Sequence, residues 1–398
     1  MSRLTQLLLF VGVALVLAAL LHYYAWVRLV RDPDVGGPAR SVATGVLWGM
    51  FALMALSMPC HRLLPRAMAS PLMWVVYSWM GMLLFLVLSL GVADLLRWVA
   101  LHLVAPPPDP GRRLFLQRTL SGLALGTTGA LSAVALRSAI QRVAVHHLDV
   151  TLSRLPPTMS GLRLVQLTDL HIGPTLDGAW LREIVRQVNA LAPDLIAITG
   201  DLVDGTVQQL ASHVAPLAEL RARHGVFFVT GNHEYYSGVD AWLMELRRLG
   251  VRVLRNERVT ISGPDGACLE VAGVDDLHST GWPGHGPDLR RALRGRDLAR
   301  PVILLAHQPA AIFEAAALGV DLQLSGHTHG GQIWPWHCLV RLQQPYVAGI
   351  HRHPGSDTQI YVSRGTGYWG PPMRLGAPAE ITHIRLLSAE SEHRARPA

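Results

Sequence analysis

The sequence predicts an all-α, membrane-spanning region followed by an α/β domain. Three observations predict it. Most long apolar runs lie before about residue 140. From about Leu148 onward, short strand-like apolar runs alternate with amphipathic helical ones, the pattern of α/β layers around a buried sheet. Aspartate, asparagine and histidine recur just past the ends of those strands, where ligands collect in such sheets. At 398 residues the chain is long enough for one large domain plus a second region. A mean hydropathy of +0.28 and a charged fraction of only 16% point to membrane residence for part of it.

The apolar runs come first. Residues 4–21 are almost wholly apolar and long enough to span a bilayer. Further runs cover 42–58 and 71–92, the latter continuing amphipathically to Leu103. Pro106-Pro107-Pro108-Asp109-Pro110 then breaks the chain. A weaker run, 120–136, is rich in Gly, Ala, Thr and Ser. The first run alone also fits a cleaved signal peptide. Two stronger runs follow it, so residues 1–147 read as an anchor of about four transmembrane helices. Arg112-Arg113-Leu114-Phe115-Leu116-Gln117 resembles the twin-arginine export motif, and Ala133-Val134-Ala135 an A-x-A cleavage site. An ordinary basic loop before a transmembrane helix accounts for the same residues. Arg28, Arg31, Arg40, Arg97, Arg112, Arg113 and Arg118 on one side outnumber Arg3, Arg62, Arg66, Arg137 and Arg142 on the other. By the positive-inside rule the first set is cytoplasmic. The expectation is a multi-pass cell-membrane protein whose C-terminal domain lies outside the cytoplasm.

The net charge is +7 and the pI about 9.8, yet no nucleic-acid partner is expected. The basic residues are scattered or sit at membrane boundaries, without an aromatic-interleaved basic stripe. The chain contains no lysine, so all 35 cationic residues are arginine. With the many Ala, Gly and Pro residues, this reads as compositional bias. The cysteines are Cys60, Cys268 and Cys338. No C-x-x-C occurs, so neither a zinc knuckle nor a redox motif is supported. A Cys268–Cys338 disulfide stays open.

The α/β elements follow in order. Strands are expected at Leu162–Leu167, Leu195–Ile198, Val226–Val229, Leu269–Ala272, Val302–Leu305 and Leu322–Leu324. Helices are expected at Trp180–Leu191, with Leu181, Ile184, Val185 and Val188 on one face, and at Val239–Leu249. The polar blocks are Asp169-x-His171, Gly200-Asp201-x-x-Asp204, Gly231-Asn232-His233-Glu234, Ala306-His307 and Gly326-His327-Thr328-His329-Gly330-Gly331. Asp169, Asp201, Asn232, His307, His327 and His329 each fall just after an expected strand. Alternate side chains of a strand share a face, so His327 and His329 can point at a common centre. Mixed carboxylate, amide and imidazole donors suit Mn, Fe or Zn better than Ca. They are too many for one tetrahedral zinc. Two divalent ions sharing a carboxylate would use them all, and such pairs, roughly 3.5–4 Å apart, clamp the oxygens of a phosphoryl displacement.

The ordered set D-x-H, G-D-x-x-D, G-N-H-E, H, G-H-x-H resembles the calcineurin-like metallophosphoesterase superfamily. Gly273-Val274-Asp275-Asp276, Tyr361-Val362-Ser363-Arg364-Gly365 and Pro372-Met373-Arg374-Leu375-Gly376 narrow the likeness. They resemble its bacterial branch of wall-associated phosphoesterases and membrane-bound UDP-diacylglucosamine pyrophosphatases. The resemblance covers about residues 148–388. It implies a four-layer α/β-β/α sandwich. It also implies that Asp169, His171 and His329 bind one metal and Asn232, His307 and His327 the second, with Asp201 bridging. His233 would be catalytic, protonating the leaving oxygen or stabilising transition-state charge. The implied nucleophile is a metal-bridging hydroxide. Asp204 and Glu234 look like groups that orient ligands or fix loops.

Other residues carry weaker signals. His278, His285, His337, His351, His353 and His383 read as ordinary polar loop residues. Arg364 and Arg374 fit either substrate phosphate, which guanidinium matches bidentately, or a fixed C-terminal loop. Trp282, Trp334, Trp336 and Trp369 fit either core packing or a bilayer-facing lipid entrance. Residues 389–398 read as a disordered tail. The leading functional reading is a membrane-anchored phosphoesterase hydrolysing phosphodiester, phosphomonoester or pyrophosphate bonds of envelope or lipid-linked substrates, with membrane lipids as partners. The alternative is a membrane-tethered, non-catalytic sensor or assembly factor with a structural metal site. His233 separates them, because a structural site has no need of it. The sequence leaves the oligomeric state open.

Overall fold

The computed structural model describes residues 3–103 and 109–390. The break expected at Pro106–Pro108 and the tail from 391 to 398 lie outside the described residues. By contact the chain divides into two units, Met1–Arg137 with Gly370–Met373, and Ser138–Trp369 with Arg374–Ala398.

The first unit is helical: α1 (Arg3–Trp26), α2 (Gly37–Leu63), α3 (Arg66–Leu103) and α4 (Pro110–Ile140). A π-helical turn, Val27–Arg31, extends α1. All four helices are long and apolar enough to cross a membrane. They outrun the expected apolar runs because polar turns such as Pro110–Arg113 continue the same hydrogen-bonded ladder. Ala25, Val30, Leu47, Leu86, Leu90 and Ala124 form a small shared core. Leu8, Val13, Val16, Leu56 and Leu123 stay more than half exposed.

The second unit holds two six-stranded sheets. The elements are β1 (Ala144–Leu152), β2 (Leu162–Leu167), α5 (Gly178–Ala190), β3 (Leu195–Thr199), α6 (Val207–Val214), β4 (Val226–Val229), α7 (Asn232–Ser237), α8 (Val239–Arg248) and β5 (Arg252–Val253). Then come β6 (Glu257–Ser262), β7 (Cys268–Gly273), α9 (Leu289–Ala292), β8 (Val302–Leu305), α10 (Ile312–Ala317), β9 (Leu322–Ser325), α11 (His337–Val340), β10 (Gly349–Arg352), β11 (Gln359–Val362) and β12 (Glu380–Ser388). The strand orders are β1-β12-β2-β3-β4-β5 and β10-β11-β9-β8-β7-β6. Strands β2, β3 and β4 run parallel, as do β7, β8 and β9.

Side-chain alternation explains the layering. Leu164, Leu195, Ala197, Phe227 and Val229 of the first sheet meet Val271, Ile303, Leu305, Leu322 and Leu324 of the second in one core. The intervening residues point the other way. Val165, Leu167, Ile196, Ile198 and Phe228 pack under Leu181, Ile184, Val188, Trp242 and Leu246 of α5 and α8. Val302, Leu304, Ile360 and Val362 pack under Leu289, Ile312 and Ala315 of α9 and α10. The result is the four-layer α/β-β/α sandwich. Strands β2, β3, β4, β7, β8 and β9 are buried on both faces, which is why they read as nearly continuous apolar runs. The carboxyl ends of β2, β3, β4, β8 and β9 carry the polar blocks.

Candidate metal centre

Five loops build the site, each leaving the carboxyl end of a strand. Asp169 and His171 follow β2, Asp201 follows β3, Asn232 and His233 follow β4, His307 follows β8, and His327 and His329 follow β9. Asp169, His171, Asp201, His327 and His329 all have positive φ, between 45° and 69°. Side-chain-bearing residues rarely occupy this left-handed region. Five together mean that packing holds strained turns so that side chains converge. Glycine supplies the space between them. A Cβ at Gly326 would fall on Asp169 Oδ2 and Thr168 Oγ1. The turn therefore lets His327 N–H donate to Asp169 Oδ1 at 3.0 Å, which ties the two sheets together.

Candidate donor atoms form two clusters, Asp169/His171/His329 and Asp201/His307/His327, each with its atoms within 4.8 Å of one another. In the first, His171 Nε2 and His329 Nε2 face each other at 3.1 Å, and His329 Nε2 lies 3.4 Å from Asp169 Oδ1. In the second, His307 Nε2 lies 3.1 Å from Asp201 Oδ2 and 3.2 Å from His327 Nδ1. The same Asp201 oxygen is 3.9 Å from His171 Nε2, so it reaches both clusters. Asn232 is buried beside them, and its Oδ1 has no hydrogen-bond partner. Such an orphan acceptor costs about 1–3 kcal/mol. A cation would satisfy it, and the facing imidazole nitrogens ask for the same, so this donor set fits a pair of divalent ions.

Hydrogen bonds behind the donors aim them. His307 Nδ1–H donates to the Thr199 carbonyl at 2.8 Å, which turns Nε2 toward Asp201. Asp204 Oδ1 lies 3.1 Å from His171 Nδ1 and 2.6 Å from His233 Nδ1. These three residues make a third grouping that shares His171 with the first cluster. Buried Glu234 accepts from the N–H groups of Gly231, Asp201 and Leu202 at 2.7, 3.0 and 2.8 Å. It thereby pins the β3 and β4 loops to each other.

The electrostatics follow from burial opposed by close charges. Burial alone would lower the His233 pKa, but Asp201 and Asp204 outweigh it and push it up to about 9. Asp201 and Asp169 likewise overcome burial at His307 and hold its pKa well above the ordinary value. At His327, burial and the neighbouring His307 act together and lower it to about 3. Burial, His171 and Arg374 depress His329 well below the ordinary value. Burial and the adjacent Asp201 carboxylate raise Glu234 to about 8.

A family model for calcineurin-like phosphoesterase matches residues 162–331, the span that contains every block above. A "Transmembrane protein with metallophosphoesterase domain" of Bos taurus is 40% identical over 408 residues, covering 96% of this chain and 89% of that protein. Its Danio rerio namesake is 36% identical, covering 96% and 90%. The metallophosphoesterase YkuE of Bacillus subtilis is 33% identical over 285 residues, covering 70% and 98%. This chain belongs to the calcineurin-like phosphoesterase family. As a metallophosphoesterase it is a hydrolase acting on phosphoric ester bonds.

Of the two readings the sequence leaves open for Arg374, phosphate binding or a fixed C-terminal loop, its contacts match the second. Its guanidinium is fully buried. It donates to the carbonyls of Ala377 at 2.8 Å and Arg364 at 2.9 Å, and to Gly367 O. Burial lowers its pKa to about 10. It fixes the C-terminal loop behind His329. Arg364 donates to Glu380 at 2.9 Å and keeps a third of its side chain exposed. Among the tryptophans, Trp282 packs against the core under the first sheet, whereas Trp334, Trp336 and Trp369 stay more than half exposed. Cys268 and Cys338 are free, so they form no disulfide. Sequence reasoning missed Thr168, whose hydroxyl donates to Asp169 Oδ2 at 2.8 Å. Its position directly before D-x-H was the available signal.

Proposed function

We propose that this metallophosphoesterase is a membrane-anchored dinuclear enzyme whose catalytic domain spans about residues 148–388 and lies outside the cytoplasm. Asp169, His171 and His329 hold one divalent ion. Asn232, His307 and His327 hold the other, and Asp201 serves both. The imidazole-rich donor set favours Mn, Fe or Zn. Such ions would supply Lewis acidity and water activation at neutral pH. The chain's own residues do the rest. Asp201 keeps the two clusters in register. Asp204 holds the His233 ring by its Nδ1, leaving Nε2 to give a proton to the leaving oxygen. The single observation carrying this reading is Asp201 Oδ2 within 3.1 Å of His307 and 3.9 Å of His171. Envelope or lipid-linked phosphoesters are the proposed substrates, because relatives over nearly the whole chain are named transmembrane proteins. The test is hydrolysis of bis-p-nitrophenyl phosphate by the full chain in detergent, with Mn, Zn or Fe added after chelation. Metal-dependent turnover that disappears in the Asn232→Ala/His233→Ala double variant is expected. Equal turnover by that variant sinks the assignment.

A further inference from the structure

Beside the metal centre, and outside its ligand set, lies a cavity of about 730 Å³, large enough for a small-molecule substituent. Gly330, the residue after His329, joins the two. Arg341, Arg364, His337 and His351 line it together with Trp334 and Tyr346, and no carboxylate is among its lining residues. Arg341 is exposed and forms no ion pair among the described residues. The wall is tied to the metal centre. The Thr328 hydroxyl, inside the G-H-T-H turn, donates to the Val347 carbonyl at 2.6 Å. Buried Gln344 accepts from Ala310 N–H at 3.2 Å.

The wall has two faces. His337, Arg341 and Gln344 recur at spacings of three and four residues and line the cavity from one side of α11 and the turn that continues it, with Trp334 just before them. Trp336, Leu339 and Leu342 recur at spacings of three on the other side, and they are 52%, 50% and 81% exposed. A single exposed leucine needs no explanation, but an apolar stripe in helical register behind a cationic one does. Tryptophan beside leucine suits the membrane–water interface. The same chain carries four helices long and apolar enough to cross a membrane, so a bilayer is a surface it meets. A soluble phosphorylated ligand could use the cationic face but would leave the apolar stripe facing water.

We propose that residues 334–344 form a membrane-seated lip, and that the cavity behind it takes the phosphate-bearing headgroup of an anionic lipid. Trp336, Leu339 and Leu342 enter the interfacial layer. Arg341, with the exposed part of Arg364, receives the headgroup phosphate by charge-assisted hydrogen bonds. The inference deepens the phosphoesterase reading, since it places a lipid headgroup next to the metal centre.

Two measurements test it on the full chain in phosphatidylcholine nanodiscs. First, an NBD fluorophore is attached at Leu342→Cys, or at Asp357→Cys as a control, with Cys60, Cys268 and Cys338 changed to serine. The Asp357 side chain is 88% exposed. The label at 342 is expected to be blue-shifted and quenched by brominated acyl chains, and the label at 357 neither. Equal wetness at both positions overturns the lip. Second, affinities for dihexanoyl phosphatidic acid, glycerol 3-phosphate and inorganic phosphate are measured in the Asn232→Ala/His233→Ala background, where turnover does not intrude. The lipid is expected to bind at least about tenfold tighter than either soluble phosphate. Arg341→Gln should weaken it about tenfold, the loss of roughly one charge-assisted hydrogen bond, and Arg341→Lys should retain most of the affinity. Glycerol 3-phosphate binding as tightly as the lipid assigns the cavity to soluble phosphates and overturns the proposal. So does lipid binding that ignores both Arg341 variants. Failure of the phosphoesterase reading would show separately, as absent metal-dependent hydrolysis by the unmutated chain with these binding results unchanged.

Discussion

Asn232 sits where two opposing demands on one side chain can be separated. Its Oδ1 is buried without a partner, a cost to folding that the proposed ligand role would offset. Asn232→Ala should therefore lower kcat/KM for bis-p-nitrophenyl phosphate by about 10–100-fold, the usual range for damaged metal affinity, with partial recovery at high metal concentration. The metal-free thermal midpoint should stay level or rise, because removing an unsatisfied acceptor removes its penalty. A midpoint that falls by several degrees would show instead that Asn232 is a structural residue. Asp204 makes a complementary case. It touches both His171 and His233 through Nδ1, so Asp204→Asn should cut kcat by about 10–100-fold with little change in KM. At this scale the sequence was most legible, since the blocks at strand ends named every residue that the two clusters contain. Arg341 was not legible. It lies in no strand-end block, and its meaning comes from a cavity that only the folded chain creates.

At the scale of elements, the central parallel strands β2, β3, β4, β7, β8 and β9 were readable, whereas the edge strands and the interior strands β11 and β12 were not. Residues 195–198 and 302–305 are continuous apolar runs because each face meets a different core. Strand β1 starts with Ala144-Val145-His146-His147, mostly exposed, and is defined by pairing with β12 236 residues away in sequence. Strand β10 alternates between partly buried and exposed along its length, so hydropathy gives no signal and pairing with β11 decides it. Arg374 stayed ambiguous for a related reason, because a guanidinium that serves backbone carbonyls looks in sequence like one that serves phosphate. Its neighbours make the prediction sharp. Arg374→Met strands the carbonyls of Gly367, Ala377 and Arg364 and should cost about 3 kcal/mol, seen as a thermal midpoint lowered by roughly 6–12 °C. A variant with an unchanged midpoint and a raised KM would restore the substrate-binding role.

At the scale of the whole molecule, the clusters are assembled from both sheets, with His307, His327 and His329 carried by the second and the other candidate ligands by the first. Ions bound there would cross-link the sandwich, so loading metal at about a hundred times its Kd should stabilise the domain by about 2.7 kcal/mol, reversibly on chelation. A midpoint indifferent to metal would contradict a site shared between sheets. Orientation across the membrane needs a different experiment, because neither sheet carries information about it. The arginines flanking the helices and the Arg112-Arg113 pair at the start of α4 both favour a cytoplasmic start to the last helix. An even number of crossings would leave both ends of the helical region on one side. Met1 and the C-terminal domain would then both be external. Alkaline phosphatase fused after Ala398 should be active in intact cells, and a cytoplasm-dependent fluorescent protein fused at the same place should stay dark. A fluorescent fusion with inactive phosphatase would put the metal centre in the cytoplasm, and would shift the expected substrates from envelope polymers to the precursors and nucleotides found there.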